Sequence, residues 1–274
     1  MPRTSSIELG SVQQTLLLPL WGRAVETGKA HPLLVDPAAV SILATIDYDF
    51  STIARNISFI TQLAWIARSL HTDNALRKFL GQNPAATVVN LGCGLDTTFE
   101  RVDNGMLRWY DLDLPDVIEL RRRFIAESER RKFIAGSLLA DEWREQLAGA
   151  GPIFFIASGV LYYFSESDVK AFLIRMAESF PGSELLFDAA SPRGVRIANQ
   201  KVIQAGGMDS SAILKWGMLR ASDLEAWDRR IQVVAAYPLF RGLKRGLSFK
   251  EKWGMLMSDL LHIMSMVHLR FSAQ

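Results

Sequence analysis

Val88-Val89-Asn90-Leu91-Gly92-Cys93-Gly94-Leu95-Asp96 is the stretch on which the fold turns. With Thr87 before them, Val88 and Val89 form a β-branched run that reads as the start of a strand. The Gly-x-Gly that ends it lets the backbone bend sharply, and lets a ligand approach where a Cβ would stand in the way. Upstream, Asn83-Pro84 is a breaker pair that closes a helical region. Downstream, strands and helices alternate as in a parallel sheet with crossover helices.

Strands are expected at 86–91, 107–112, 132–135, 152–158 and 184–188, with helices at 116–130, 141–149 and 166–180. Ser165, followed by Glu166 and Asp168, has the chemistry of a helix N-cap with acids favourable to the dipole. The run Ile153-Phe154-Phe155-Ile156-Ala157 is apolar on both faces, as a central parallel strand must be. Past Asp188, a helical insertion near 191–230 after the fifth strand precedes β-like runs at 231–237 and 266–271, with a helix at 249–261 between them. Residues 1–82 carry helical periodicity, with starts at Asp36-Pro37 and at Ser51, the latter opening a segment that runs towards Leu80. The reading is one α/β domain with a doubly wound, mostly parallel, seven-stranded sheet: an N-terminal helical cap over 1–82 and a core over 83–274.

The 274 residues hold 31 Lys and Arg against 29 Asp and Glu. The longest basic run, Arg121-Arg122-Arg123, stands beside Glu119 and Glu127, so no footprint for nucleic acid or an anionic membrane is present. Cys93 is the one cysteine, which excludes an intramolecular disulfide and a cysteine-built zinc site. His31, His71, His262 and His268 include no pair with metal-ligand spacing on one helix face, so no metal is expected. The run Leu16 to Trp21 is short and lacks a cleavage pattern, and the longest apolar stretch, Ile153 to Phe164, falls short of the roughly 20 residues that span a bilayer. A cytoplasmic protein without a membrane partner, monomeric or homodimeric, is the expectation.

Asp111 and Asp113 stand 19 and 21 residues past Gly92, at the end of the second strand. An acid about 20 residues beyond the glycines can accept hydrogen bonds from both ribose hydroxyls of an adenosine. A dinucleotide fingerprint would place a third glycine at position 97, where this chain has Thr97 preceded by Asp96. A carboxylate beside the turn would repel a pyrophosphate but suits a cationic sulfonium nucleoside. Strand alternation puts both acids on one side, so one is expected to bind ribose and the other to cap the helix beginning near Asp116. Asp113 is the first choice for ribose and Asp111 the second.

At this point the sequence resembles class I methyltransferases of the leucine carboxyl methyltransferase type, which include bacterial polyketide O-methyltransferases. The resemblance rests on Leu20-Trp21-Gly22-Arg23-Ala24, Asp36-Pro37-Ala38-Ala39, Trp65-Ile66-Ala67-Arg68, the glycine turn through Thr97, Trp109 to Val117, Ala157 to Tyr163, and Leu186-Phe187-Asp188. It implies a Rossmann-like fold and S-adenosylmethionine as cofactor, with S-adenosylhomocysteine as product. It also implies that Gly92 and Gly94 line the methionine part, that Asp113 holds the ribose, that Arg68 pairs with the cofactor carboxylate, and that Cys93 and Leu114 belong to the same cofactor site. Ser137-Leu138 occupies the place of the family's usual Asp-Leu near the adenine, and Ser158-Gly159 that of its usual Glu-Gly. The second change removes a carboxylate near the sulfonium, so that either Asp96 supplies the charge complement or cofactor affinity is reduced.

For the acceptor, Trp21, Arg23 and Tyr162 are candidate pocket residues, and Tyr162, Tyr163 and His31 are candidate catalytic groups. Trp21, Trp65, Trp216 and Trp227 lie in segments that would cap the site, where they either shape an aromatic acceptor pocket or pack in the core. The implied reaction is O-methylation of a small-molecule carboxylate or hydroxyl in secondary metabolism. Methyl esterification of a protein C-terminus, a cofactor-binding relative without turnover, and a nicotinamide oxidoreductase are the alternatives. The missing third glycine and the absence of a Tyr-x-x-x-Lys pattern count against the last.

Overall fold

A computed structural model of the chain describes residues 5–6, 11–147, 149, 151–200, 213–243 and 246–273. Its centre is a seven-stranded sheet: β1 (Thr87–Leu91), β2 (Arg108–Asp113), β3 (Arg131–Ala135), β4 (Ile153–Ala157), β5 (Glu184–Ala190), β6 (Ile231–Pro238) and β7 (Met264–Phe271). Their order across the sheet is β3-β2-β1-β4-β5-β7-β6. The first five run parallel, and β7 runs antiparallel to both of its neighbours. Strand order therefore reverses between β1 and β4, where an open α/β sheet forms its ligand crevice at the carboxyl ends.

Alternation along the strands supplies two apolar faces. On one, Val89, Leu91, Phe155, Leu185 and Phe187 pack against Val169, Phe172, Leu173 and Met176 of α8 (Glu166–Ser179). On the other, Val88, Trp109, Phe154, Ile156 and Leu186 pack against Leu63, Ala67, Leu76 and Leu80 of α4 (Phe59–Gln82). A fully enclosed Leu contributes about 1.5–3 kcal/mol, so α4 is a layer of the domain rather than a lid resting on it. Nearer the N-terminus, α1 (Ser11–Thr27) and α2 (Pro37–Leu43) gather around Cys93 and Leu95 of the glycine turn and Ile118 of α6 (Pro115–Arg122). Among the described residues, no helix is long and apolar enough to cross a membrane.

Local chemistry explains where the sequence reading holds and where it gives way. The Ser165 hydroxyl accepts the N–H of Asp168 at 3.2 Å while the Asp168 carboxylate accepts the N–H of Ser165, a complete capping box for α8. The segment from Ser51 is two helices, α3 (Ser51–Asn56) and α4, because the Ser58 hydroxyl accepts the Thr61 N–H and starts a second helix. The helix expected at 116–130 stops at Arg122. Beyond it, Glu127 accepts the N–H of Phe133 and Ser128 that of Arg131, which turns the chain into β3. The next crossover shortens to α7 (Glu142–Glu145), after α5 (Thr98–Val102) has followed the glycine turn.

Neither acid caps α6. Its first residue, Pro115, has no N–H, and its N-cap is Leu114. Of the expected insertion, α9 (Pro192–Ala198) and a 3-10 turn at Ala221–Leu224 are seen; residues 201–212 lie outside the described ones. Between β6 and β7 runs α10 (Phe249–Leu260), one residue shorter than expected.

Candidate functional site

The carboxyl ends of β1, β2, β4 and β5 open into a cavity of about 490 Å³, within the range of small-molecule sites. The turn after β1 is built on Gly92 and Gly94, both at positive φ (66° and 46°). A Cβ on Gly92 would stand 2.5 Å from a methyl of Val160, so the residue after β4 closes over this turn only because no side chain is there. The Gly92 and Cys93 amides donate to the Leu112 carbonyl at 2.8 and 3.1 Å. The Asp113 carboxylate accepts the N–H of Gly94 at 2.7 Å and of Leu114 at 2.8 Å. Turn and strand-end acid are thus one unit. Burial raises the Asp113 carboxyl above its ordinary range, and the two amides pull it back.

Across the cavity, Arg68 from α4 donates to Asp188 at 3.1 Å and to the Tyr162 phenol at 3.4 Å. Asp188 also accepts the N–H of Gly159 at 2.6 Å. Burial would lower the Arg68 pKa, but the Asp188 carboxylate more than reverses this, and the guanidinium stays charged. Gly159 sits at φ 79°, and a Cβ there would meet a guanidinium nitrogen of Arg68 at 2.5 Å. Gly159, like Gly92, therefore makes room for a side chain of the protein itself.

Asp96 accepts from the Asn90 amide at 3.1 Å and the Thr98 N–H at 3.2 Å. Burial raises its carboxyl, but Arg23 and Arg101 hold it down to about 2. A group with a depressed folded-state pKa stabilises above its unfolded value, near 3.9, and loses that contribution as pH falls through the folded value. The urea midpoint of the wild type is therefore expected to fall towards that of Asp96→Asn between about pH 4 and pH 2. A difference that stayed constant over this window would refute the assignment.

Gly92, Cys93, Gly94, Asp96, Asp113, Leu114, Ser137 and Leu138 all line the cavity at its turn side, and Arg68, Ser158, Gly159, Tyr162 and Tyr163 line it opposite. Three expected residues do not. Asp111 is fully buried one pleat deeper, with Arg121 at 3.0 Å, Arg131 at 2.8 Å and the Trp109 indole N–H at 2.8 Å on its carboxylate. Its carboxylate is engaged as a counter-ion to two arginines and lies outside the cavity lining. Trp21 is half-buried outside the lining, because α1 turns Pro19 and Arg23, four residues apart, inward, and Trp21 between them away. His31 is exposed in the connection after α1 and does not reach the cavity.

Arg23 lines the wall, but its guanidinium is committed to Asp36 at 2.9 Å and the Leu95 carbonyl at 3.1 Å. Both tyrosines line the cavity, since a 3-10 turn at Leu161–Tyr163 replaces strand alternation there. Sequence reasoning gave Asp188 no role, although an acid closing the buried run Leu185-Leu186-Phe187 at a parallel strand's carboxyl end is the signal that points to it. Leu239, Phe240 and Ile263, which carry no sequence signal, wall the apolar end together with Met264 of β7.

This donor set fits S-adenosylmethionine: a strand-end carboxylate for two hydroxyls, a turn without side chains for the aminoacyl chain, and a fixed guanidinium facing it for a carboxylate. The doubly wound sheet and its switch-point cavity define the class of nucleoside-binding α/β proteins. The model of the leucine carboxyl methyltransferase family matches residues 17–177. The chain is 33% identical over 258 residues to a tetracenomycin polyketide synthesis O-methyltransferase, TcmP, of Streptomyces glaucescens, covering 93% of this chain and 87% of that protein. It is 30% identical to an S-adenosyl-L-methionine-dependent methyltransferase of Gibberella zeae over 203 residues, 67% of each chain. In fold it is similar to a DUF574 protein of Streptomyces avermitilis (TM-score 0.59, 12% identity, 94% and 97% of the two chains). A candidate methyltransferase of Thermobifida fusca is comparable (TM-score 0.58, 14% identity, 92% and 94%). The protein belongs to the leucine carboxyl methyltransferase family, and with it to the S-adenosylmethionine-dependent methyltransferases.

Proposed function

We propose that this protein methylates an oxygen, a carboxylate or an acidic hydroxyl, on a small and largely apolar molecule in cytoplasmic secondary metabolism. The observation that carries this reading is that one cavity joins the Asp113 and glycine-turn end to an apolar end walled by Leu214, Leu239, Phe240, Ile263 and Met264. When bound, S-adenosylmethionine supplies a methyl group already activated by the sulfonium. The chain's own work is then to orient the acceptor oxygen in line with that methyl and to exclude water. Asp113 holds ribose, Ser137 and Leu138 border the adenine, and Arg68, braced by Asp188, receives the cofactor carboxylate. Trp65, Tyr163 and the apolar walls position the acceptor.

Burial raises the Tyr162 phenol well above its ordinary pKa, with Asp188 adding to the effect, and it raises the Tyr163 phenol as well. Neither is a base at neutral pH. The acceptor that suits this site is one that arrives already ionised; the Streptomyces glaucescens relative, an O-methyltransferase of polyketide synthesis, supports oxygen as the methylated atom.

Incubation with methyl-labelled S-adenosylmethionine tests the proposal. Label is expected in small aromatic acids and acidic phenols, and in neutral alcohols at least tenfold less. Transfer confined to peptide carboxyl termini would overturn it.

A further inference from the structure

On α10 the outward face is more apolar than the inward one. Phe249, Trp253, Leu256 and Leu260 are 83%, 56%, 57% and 66% exposed. The side of α10 that meets the domain carries Met255, buried, and Gly254, which packs against Phe59 and Ile60 of α4. At about 100° per residue the four exposed side chains fall within roughly 60° of one another, opposite Gly254, Met255 and Ser258. A stripe that narrow, spaced four, three and four residues apart, is the seam one helix offers to another. An interfacial membrane helix would present a broader face with a basic border, whereas this stripe is flanked by both Lys252 and Asp259. The helix is also well made: Ser248 and Glu251 complete a capping box, with Ser248 donating its N–H to Glu251 at 2.7 Å.

We propose that α10 is the interface of a two-fold homodimer, packing antiparallel on α10 of a second copy. The stripe is its own complement under that operation: centred between Trp253 and Leu256, a two-fold axis sets Phe249 opposite Leu260 of the second copy and Trp253 opposite its Leu256. The same operation puts Lys252 on the same flank as Asp259 of the second copy, offset by two residues or about 3 Å along the axis, which the lysine side chain spans, and does so twice because the contact is isologous. The aromatic side chains bury about 150–250 Å² each. Counted on both copies with the two leucines, the seam forms the apolar centre of the roughly 1,000 Å² that a specific interface requires.

The dimer would also brace the site, since Ser258 of α10 lines the cavity and Asp259 accepts the N–H of Phe240, another lining residue, at 3.2 Å.

Sedimentation velocity of the full chain across micromolar concentrations tests this. The wild type is expected at twice the 30.7 kDa chain mass. Leu256→Glu should be monomeric, with its dissociation constant raised at least 100-fold and its thermal unfolding midpoint at high dilution within a few degrees of wild type. Lys252→Glu should weaken association about tenfold, and Lys252→Glu combined with Asp259→Lys should restore it. A wild type that stays monomeric at 100 µM overturns the proposal. So does a dimer that survives Leu256→Glu, or co-sedimentation of the wild type with anionic phosphatidylserine vesicles that Leu256→Glu abolishes.

Discussion

Asp111→Ala is expected to destabilise the protein by about 3–5 kcal/mol, the cost of removing one partner from a buried charge cluster. The carboxylate is fully buried and takes hydrogen bonds from Arg121, Arg131 and the Trp109 indole. Arg121 is itself 0% exposed. It donates to the carbonyls of Gly94 and Asp96 at 2.7 and 2.8 Å, so the Asp111 charge also underpins the glycine turn. With Asp111 gone, Arg121 keeps these neutral acceptors and loses the carboxylate that compensates its charge. Urea unfolding reads the effect as a fall in midpoint, and by the usual m-value of 1–3 kcal/mol per molar the shift should exceed 1 M. Asp111→Asn should fall in between, because it keeps an acceptor but not the charge. A loss below about 1 kcal/mol for the alanine variant would show that the two arginines are satisfied elsewhere.

The matching result at Asp113 has the opposite character. Asp113→Ala is expected to lower affinity for S-adenosylhomocysteine at least 100-fold by titration calorimetry. Hydrogen bonds to a charged group are worth about 1.5–3 kcal/mol apiece, and two ribose hydroxyls are at stake. Stability should change by only about 1–2 kcal/mol, since the two amides it would release, of Gly94 and Leu114, lie at the cavity where water can replace the carboxylate. The two acids are two residues apart on one strand. One variant should unfold more easily and, where folded, still bind; the other should stay folded and bind poorly. Equal affinity in Asp113→Ala and wild type would remove this acid from the site.

What the sequence could and could not reveal about these acids follows from what each depends on. Spacing from Gly92 to the end of the second strand is a local matter, so both Asp111 and Asp113 were legible as candidates. Which of them meets the nucleoside depends on Arg121 and Arg131, brought together from α6 and β3, and no local pattern carries that. The strand core was readable for the same reason as the turn: apolar runs such as Ile153–Ala157 need both faces covered wherever they lie. Helix ends were harder. Ser58 and Ser128 are serines like any other until their hydroxyls are seen taking the amides of Thr61 and Arg131.

Trp21 was misplaced by the same limit, since the direction in which α1 faces is set by what packs on it. The cavity walls at Leu239, Phe240, Ile263 and Met264 lie more than 140 residues beyond Gly92 in the sequence and carry no motif, only apolar character. The brace at Asp188 had a signal, an acid at a strand's carboxyl end, whose meaning depends on Arg68 arriving from a helix 120 residues earlier.

The placing of β7 between β5 and β6 bears on how the protein comes into being. Of the seven strands it leaves the ribosome last, yet its slot is inside the sheet. Until it emerges, β5 has an uncovered edge and β6 has no partner, while Ile263 and Met264 are not yet available to close the apolar wall. The nascent chain can thus assemble its nucleoside-binding half while translation continues, and must wait for the final strand before it can recognise an acceptor. Bare β5 is the stage at which a chaperone would be needed, because an unpaired apolar strand edge is a template for aggregation.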